Sequence, residues 1–238
     1  GPPGGGKTLL ASCVPSILPA MDDSEALEVT CIQSITGTVS PAGLARKRPF
    51  RRPHHTVSPA GMLGGGNPPM PGEVTLAHRG VLYLDEFCEF RPQVIESLRG
   101  PMEDGFIIVS RSSGRVSFPS RFMLIASANP CPCGYLGDPE RACVCQGASL
   151  MRYRRRLAGP VIDRIDIQIE VPRVRRIDLE RPIAFLTSDS VRHEIEHARE
   201  RQSERFCRNG FTNSAMGPRH IESIARLAPE ARRLLLDA

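Results

Sequence analysis

Gly1-Pro2-Pro3-Gly4-Gly5-Gly6-Lys7-Thr8 opens the chain and fits G-x-x-x-x-G-K-[ST], the phosphate-binding P-loop. Each residue type in that pattern has a chemical reason. Glycines let the backbone fold into a cup whose N–H groups point inward at phosphate oxygens. Lys7 is expected to reach the β- and γ-phosphates of ATP, and the Thr8 hydroxyl to sit on Mg²⁺. The helix that begins here turns its positive end toward the same anions. The competing reading is a flexible Gly/Pro-rich terminus, and a partner motif downstream weakens it. A P-loop joins a strand to a helix, and the sequence starts at Gly1. The chain is therefore expected to be a piece of a longer one, without the strand at the centre of the sheet.

The partner motif is Gly80-Val81-Leu82-Tyr83-Leu84-Asp85-Glu86. An apolar run with no alternation suits a strand buried on both faces of a parallel sheet. It ends in two carboxylates, at the strand end where open α/β sheets bind ligands. Asp85 is expected to hold Mg²⁺, and Glu86 to orient and polarise the attacking water. The alternative is an ordinary acidic strand end.

Around these two motifs the chain reads as alternating strands and helices. Residues 8–18 follow the P-loop as a helix, with Leu9, Leu10 and Ala11 toward the sheet and Pro15 disturbing it. Residues 27–32 are of strand type. Residues 45–55 form a basic loop carrying Arg46, Lys47, Arg48, Arg51, Arg52, His54 and His55, and residues 61–72 are rich in Gly and Pro. Residues 91–99 read as a helix and residues 106–118 as a hairpin turning at Ser112-Ser113-Gly114. Residues 122–128 are a buried strand, and residues 165–171 alternate as a further strand. Strands separated by helices imply a parallel doubly wound sheet. From Ser188 onward the pattern is helical, so the expected domains are 1–187 and 188–238.

Composition bounds the rest. The chain has 238 residues, room for one large or two small domains. Its net charge of +5, from 31 basic and 26 acidic residues, is mild for a nucleic-acid binder. No apolar run approaches a membrane span and no signal peptide is visible. A P-loop protein is expected in the cytoplasm, where disulfides are rare. Four of the eight cysteines form two close pairs, Cys131-Pro132-Cys133 and Cys143-Val144-Cys145. Four thiolates within fifteen residues can make a tetrahedral Zn²⁺ site. The spacing is Cys-x-Cys rather than the commoner Cys-x-x-Cys, and reduced free thiols are the alternative.

The P-loop, Gly-Val-Leu-Tyr-Leu-Asp-Glu-Phe, Pro-Met-Glu-Asp-Gly, Ala-Asn-Pro-Cys-Pro-Cys-Gly and Gly-Pro-Val-Ile-Asp-Arg-Ile-Asp occur in order across nearly the whole chain. Together they resemble the magnesium chelatase-like AAA+ ATPases of the YifB/ComM type. The resemblance implies a P-loop NTPase core of three layers, with a helix insertion over residues 45–72, a β-hairpin insertion over residues 106–118, and a partial helical lid. It implies that Asn129 reads the γ-phosphate, although Asn-Pro is also a plain turn signal. It implies that Arg164 is an arginine finger acting on ATP held by a neighbouring subunit, whereas a local salt bridge to Asp163 or Asp166 is the alternative. Such fingers contribute about 10³–10⁵ in rate. It further implies an N-terminal domain like that of Lon proteases and a lid arginine, neither of which this sequence contains. The cysteine cluster is associated with YifB-type relatives rather than with chelatase subunits.

His193-Glu194-Ile195-Glu196-His197 fits H-E-x-x-H, the metalloprotease helix. Here it is charged nearly all round and has no third-ligand motif downstream, so it reads as a lid helix with Glu–Arg pairs at helical spacing. The expected function is a ring-forming, hexameric ATPase motor acting on DNA. The hairpin and residues 46–52 would touch its phosphates. A metal-insertion motor and a protein remodeller are the other readings.

Overall fold

The computed structural model describes residues 1–39, 41, 43–111, 114–174, 186–207, 211–224 and 227–237, except the side chain of Arg111. The chain divides into two units, Gly1–Phe185 and Leu186–Ala238.

In the first unit α1 (Lys7–Ile17) starts directly from the loop and accommodates Pro15 within it. Ala11 is buried against the sheet, but Leu9 and Leu10 are exposed at 69% and 55%, so only one of the three expected residues faces inward. α2 (Asp23–Ile35) is a helix where the sequence suggested a strand over residues 27–32. The β-branched residues there misled. Asp22 caps the helix by accepting from the Glu25 N–H at 2.8 Å. Ala26, Val29 and Ile32, spaced three apart, form its buried stripe.

β1 (Phe50–Arg51) follows, then α3 (Pro59–Leu63), a two-residue ribbon β2 (Gly64–Gly65) and β3 (Met70–Pro71), and α4 (Glu73–Leu76). Residues 45–72 are thus not one insertion, because β1 belongs to the main sheet. The Gly-rich stretch is packed backbone on backbone: a Cβ at Gly72 would lie 2.4 Å from Gly64 N.

β4 (Val81–Leu84) is buried at every position, as its unbroken apolar run requires. After it come α5 (Pro92–Ser97), α6 (Arg99–Asp104), the hairpin β5 (Phe106–Arg111) and β6 (Gly114–Pro119), and β7 (Met123–Ala126). The expected hairpin turn residues Ser112 and Ser113 lie outside the described residues. β4 is the middle of a parallel three-stranded sheet, paired with β1 on one side (Phe50 with Val81) and β7 on the other (Leu84 with Ala126). Gly80 lets β1 come close: a Cβ there would sit 2.0 Å from the Pro49 carbonyl oxygen, which accepts from the Val81 N–H at 2.8 Å.

Two expectations fail at the sheet's other edge. β7 is only partly buried, and residues 165–171 are not a strand. Their alternation is real, but Ile167 and Ile169 are 78% and 77% exposed. A strand needs a ladder partner, and the outer edge of β7 pairs with none among the described residues.

The main core gathers Leu82 and Leu84 of β4 with Met62, Val74, Phe87, Val94, Leu98 and the hairpin's Ile107, Val109 and Phe118. α7 (Gly147–Arg156) completes this unit. Its Arg156 donates to the Cys88 carbonyl at 2.6 Å, so that arginine is used internally. The second unit holds α8 (Ser188–Phe206), α9 (Pro218–Ile224) and α10 (Pro229–Leu236). α8 has no buried residue. Its His193 and His197 rings meet at 4.5 Å, yet they join no group of potential metal ligands among the described residues, in keeping with a surface helix.

Candidate functional site

The loop of residues 1–8 turns on Gly4 and Gly6, which take φ of 77° and 76°. Those left-handed angles suit glycine, and Gly6 is one of the two positions where the motif demands it. The loop hands directly into α1, whose first bond runs from the Leu10 N–H to the Gly6 carbonyl at 2.9 Å. A cleft of about 470 Å³ lies over it, lined by residues 3–9, by Asp85 and Glu86 after β4, and by residues 127–129 after β7. That volume is the size of ordinary small-molecule sites. Parallel pairing of β4 and β7 brings both C-terminal ends to one side, so their adjacency follows from the sheet.

Lys7 curls over the loop. Its Nζ donates to the carbonyls of Gly1 and Pro2 at 2.6 and 2.7 Å and to Asn129 Oδ1 at 2.9 Å. Burial pushes its pKa below the ordinary value, and the charges of Asp85 and Glu86 partly oppose the shift.

Asp85 is the hub. Its Oδ1 accepts from the Tyr83 hydroxyl at 2.8 Å and from Ser127 Oγ at 2.6 Å. Its Oδ2 accepts from Thr8 Oγ1 at 3.0 Å and from Arg52 Nη2 at 2.5 Å. Burial would raise this carboxyl, but hydrogen bonds from Ser127, Tyr83 and Thr8, with the Arg52 charge, hold it below its usual range. Thr8 and Asp85 thus offer hard oxygen donors side by side, the donor type Mg²⁺ takes from proteins. Glu86 sits in the left-handed region at φ 54°, which is rare for a residue with a side chain. Its carboxylate is 58% exposed, with His55 Nδ1 at 3.9 Å.

The structure therefore brings together residues 1–8, Asp85, Glu86 and Asn129. Arg164 lies outside this cleft. Its guanidinium pairs with Glu103 and donates to the Pro160 carbonyl, so neither Asp163 nor Asp166 is its partner. Tyr83, Ser127, Arg52 and His55 are additions that the sequence reading did not include. Tyr83 carried a signal: it stands two residues before Asp85, on the same strand face. Arg52 had been assigned to a polyanion-binding loop. Instead Arg46, Arg48, Arg51 and Arg52 each meet a carboxylate, of Asp23, Glu25, Glu73 and Asp85 respectively. The four arginines of the basic stretch are thus each paired within the chain.

Next to Asn129 begins the cysteine cluster, Cys131, Cys133, Cys143 and Cys145, whose sulfurs lie within 4.8 Å of one another. Backbone hydrogen bonds from Tyr135 and Val144 lower the Cys133 thiol to about 6. A backbone bond from Cys133 works the same way on Cys145, but burial and the three neighbouring thiols more than offset it and push that group up to about 12.

Residues 1–179 match the family described as magnesium chelatase, subunit ChlI, and residues 186–238 match magnesium chelatase, subunit ChlI C-terminal. The chain is similar to the competence protein ComM of Haemophilus influenzae, 42% identical over 229 residues that cover 95% of this chain and 44% of that protein. It is likewise similar to the uncharacterized protein YifB of Escherichia coli, 40% identical over 232 residues covering 97% of this chain and 45% of that one. The chain thus spans less than half the length of these curated relatives. Among solved structures, the complex between subunits BchI and BchD of magnesium chelatase aligns at 22% identity and a TM-score of 0.44, over 86% of this chain and 67% of that one. The family match runs through the P-loop, β4 and β7 alike, and the chain belongs to the magnesium chelatase ChlI family, among its YifB- and ComM-like members.

Proposed function

We propose that this chain binds ATP with Mg²⁺ in the cleft over residues 1–8 and hydrolyses it as part of an AAA+ motor. The observation that carries the reading is the convergence of Lys7, Thr8, Asp85, Glu86 and Asn129 on one cleft from three separate stretches of sequence. The loop N–H groups of residues 1–8 cradle the phosphates. Lys7 exchanges its bonds to Gly1, Pro2 and Asn129 for bonds to the β- and γ-phosphates. Thr8 and Asp85 hold Mg²⁺, which when bound neutralises charge building on the phosphate oxygens. Glu86, exposed and held in a fixed backbone turn, orients the attacking water and accepts its proton. Asn129, released from Lys7, contacts the γ-phosphate.

Arg164 lies outside its own chain's cleft, which supports a role at a neighbour's site in a ring of identical subunits, a hexamer in our reading. We further propose DNA as the substrate of the motor. The β5–β6 hairpin projects the exposed Arg115 beside its turn, and Arg111 pairs with Gly114 across it. A relative named for competence supports the same direction. A chain that uses ATP is placed in the cytoplasm in our reading.

The test uses the full-length protein. Glu86→Gln should keep nucleotide affinity and lose hydrolysis by about 10²–10⁴-fold, the usual contribution of a general base. Lys7→Ala should lose binding itself. Both variants hydrolysing ATP like the parent would sink the assignment. In the same assay DNA should stimulate hydrolysis, less so as salt rises. Indifference to DNA at low salt would leave metal insertion as the better reading of the family's chemistry.

A further inference from the structure

The cysteine cluster takes no part in nucleotide chemistry, yet it is built like a site. All four thiols are free. Cys131 Sγ lies 3.3 Å from Cys133 Sγ and 3.7 Å from Cys143 Sγ, and Cys133 Sγ lies 3.6 Å from Cys143 Sγ. Zn–S bonds of about 2.3 Å in a tetrahedron set sulfur–sulfur edges of about 3.8 Å. The triangle observed is close to that size. Clusters of several irons hold thiolates on different metals much further apart. The backbone is shaped to match. The Gly134 N–H closes a tight turn onto the Cys131 carbonyl at 2.9 Å, and the Cys133 N–H points at Cys145 Sγ at 3.4 Å. Between the pairs, Asp138 Oδ1 accepts from the N–H groups of Glu140 and Arg141, and Arg141 stacks over the Tyr135 ring at 4.5 Å.

This loop also touches the candidate nucleotide site at two points. Gly134 lies flush against Pro3 of the P-loop: a Cβ there would fall 2.5 Å from Pro3 Cδ. Cys131 is fully buried two residues after Asn129, whose carbonyl accepts from the Tyr153 hydroxyl at 3.0 Å.

We propose that Cys131, Cys133, Cys143 and Cys145 bind one Zn²⁺ as a tetrathiolate, and that the ion fixes the loop backing the P-loop at Pro3 and carrying Asn129. Four soft sulfurs in a tetrahedron select zinc over the hard cations that suit Asp85 and Thr8. As the four S–Zn bonds form, the thiol protons leave to solvent and no electron changes hands. The two centres thus divide by ligand chemistry, sulfur for structure and oxygen for the phosphates. The consequence for nucleotide rests on the P-loop reading above, whereas the metal does not.

The test is elemental analysis of the full-length protein purified without chelator. About one zinc per chain is expected, lost in the double variant Cys143→Ser, Cys145→Ser. Less than a tenth of an equivalent, or iron in its place, overturns the proposal. Because that variant can misfold, the parent is also stripped of metal and refilled with Co²⁺, which must give the intense visible bands of a tetrahedral thiolate site. Pale, octahedral Co²⁺ overturns it equally. The bracing is read from affinity for a non-hydrolysable ATP analogue. Stripping should weaken it about tenfold by leaving the competent loop a minor population, and Zn²⁺ should restore it. Gly134→Ala should keep the zinc and lose affinity. Unchanged affinity in both cases overturns the bracing alone. A zinc-replete parent that binds no nucleotide overturns the nucleotide reading and the bracing together, and leaves the metal standing.

Discussion

Three of the groups on Asp85 are hydroxyls held by the fold itself: Tyr83 from its own strand, Ser127 from the end of β7, and Thr8 from the start of α1. The Glu86 N–H adds a backbone donor at 3.1 Å, and Arg52 is a half-exposed guanidinium that shares Oδ2 with Thr8. A dication entering there must displace it. Exposed ion pairs are weak, so the competition is mild. Arg52→Ala should lower the Mg²⁺ concentration needed for nucleotide binding by roughly two- to fivefold, the ratio that corresponds to under about 1 kcal/mol. A titration showing an unchanged or higher Mg²⁺ requirement would remove Arg52 from this role. Individual residues were unevenly legible. That Lys7, Thr8, Asp85 and Glu86 meet at one cleft could be read from their two motifs, whose spacing is the one a phosphate site would need. Tyr83 could have been read from its period-2 spacing to Asp85. Arg52 could not, because its partner is fixed by how β1 sits on β4, and sequence distance hides that.

At the scale of elements, pattern succeeded where burial was symmetric and failed where it depended on a neighbour. β4 was visible as an unbroken apolar run and the hairpin as paired β-branched arms. α2 was misread because Val29, Thr30 and Ile32 favour strands locally, while the cap at Asp22 and the three-residue stripe decide the helix. The turn between α4 and β4 carries a further device that pattern does not reveal. His78 is buried there, with Nε2 at 3.0 Å from Glu28 Oε2 and Nδ1 accepting from the Arg121 N–H at 3.0 Å. That backbone bond requires an unprotonated Nδ1. Burial lowers the His78 pKa below 6.5, Glu28 opposes the shift, and the charges of Arg79 and Arg121 add to it. The folded chain therefore resists a proton that the unfolded chain accepts near pH 6.5. The His78 contribution to stability is complete above that pH and is lost as pH falls through it toward the folded value. Melting temperature should decline in that window, before the carboxylates titrate. In His78→Gln, which can keep the bond to Glu28 but has nothing to titrate, the decline should vanish even if overall stability is lower. Identical pH slopes in the two proteins would rule this out.

For the molecule as a whole, Arg164 is the residue whose meaning depends on assembly. Its pairing with Glu103 is at the surface and contributes little to folding. If Arg164 serves a neighbour's ATP, defects should complement across an interface. Arg164→Ala and Lys7→Ala are each expected to be inactive alone. After random equimolar mixing of a closed head-to-tail ring, about a quarter of the interfaces regain an intact loop facing an intact finger. ATP hydrolysis should reappear on mixing and track subunit exchange. A well-folded Arg164→Ala protein with the parent's rate would refute the role. None of this was legible from pattern alone, since an Asp-Arg-Ile-Asp run reads equally as a local ion pair, and only the folded chain shows Arg164 turned to Glu103 and the Pro160 carbonyl instead. A quieter feature has the widest reach. At position 80 the missing methyl acts as a spacing gauge between two strands, because the Pro49 oxygen occupies the volume a side chain would need. Any larger residue there would prise β1 off β4 and carry Arg51 and Arg52 with it. A random screen for dead enzymes should therefore return position 80 alongside positions 7 and 86, although it contributes no atom to the cleft.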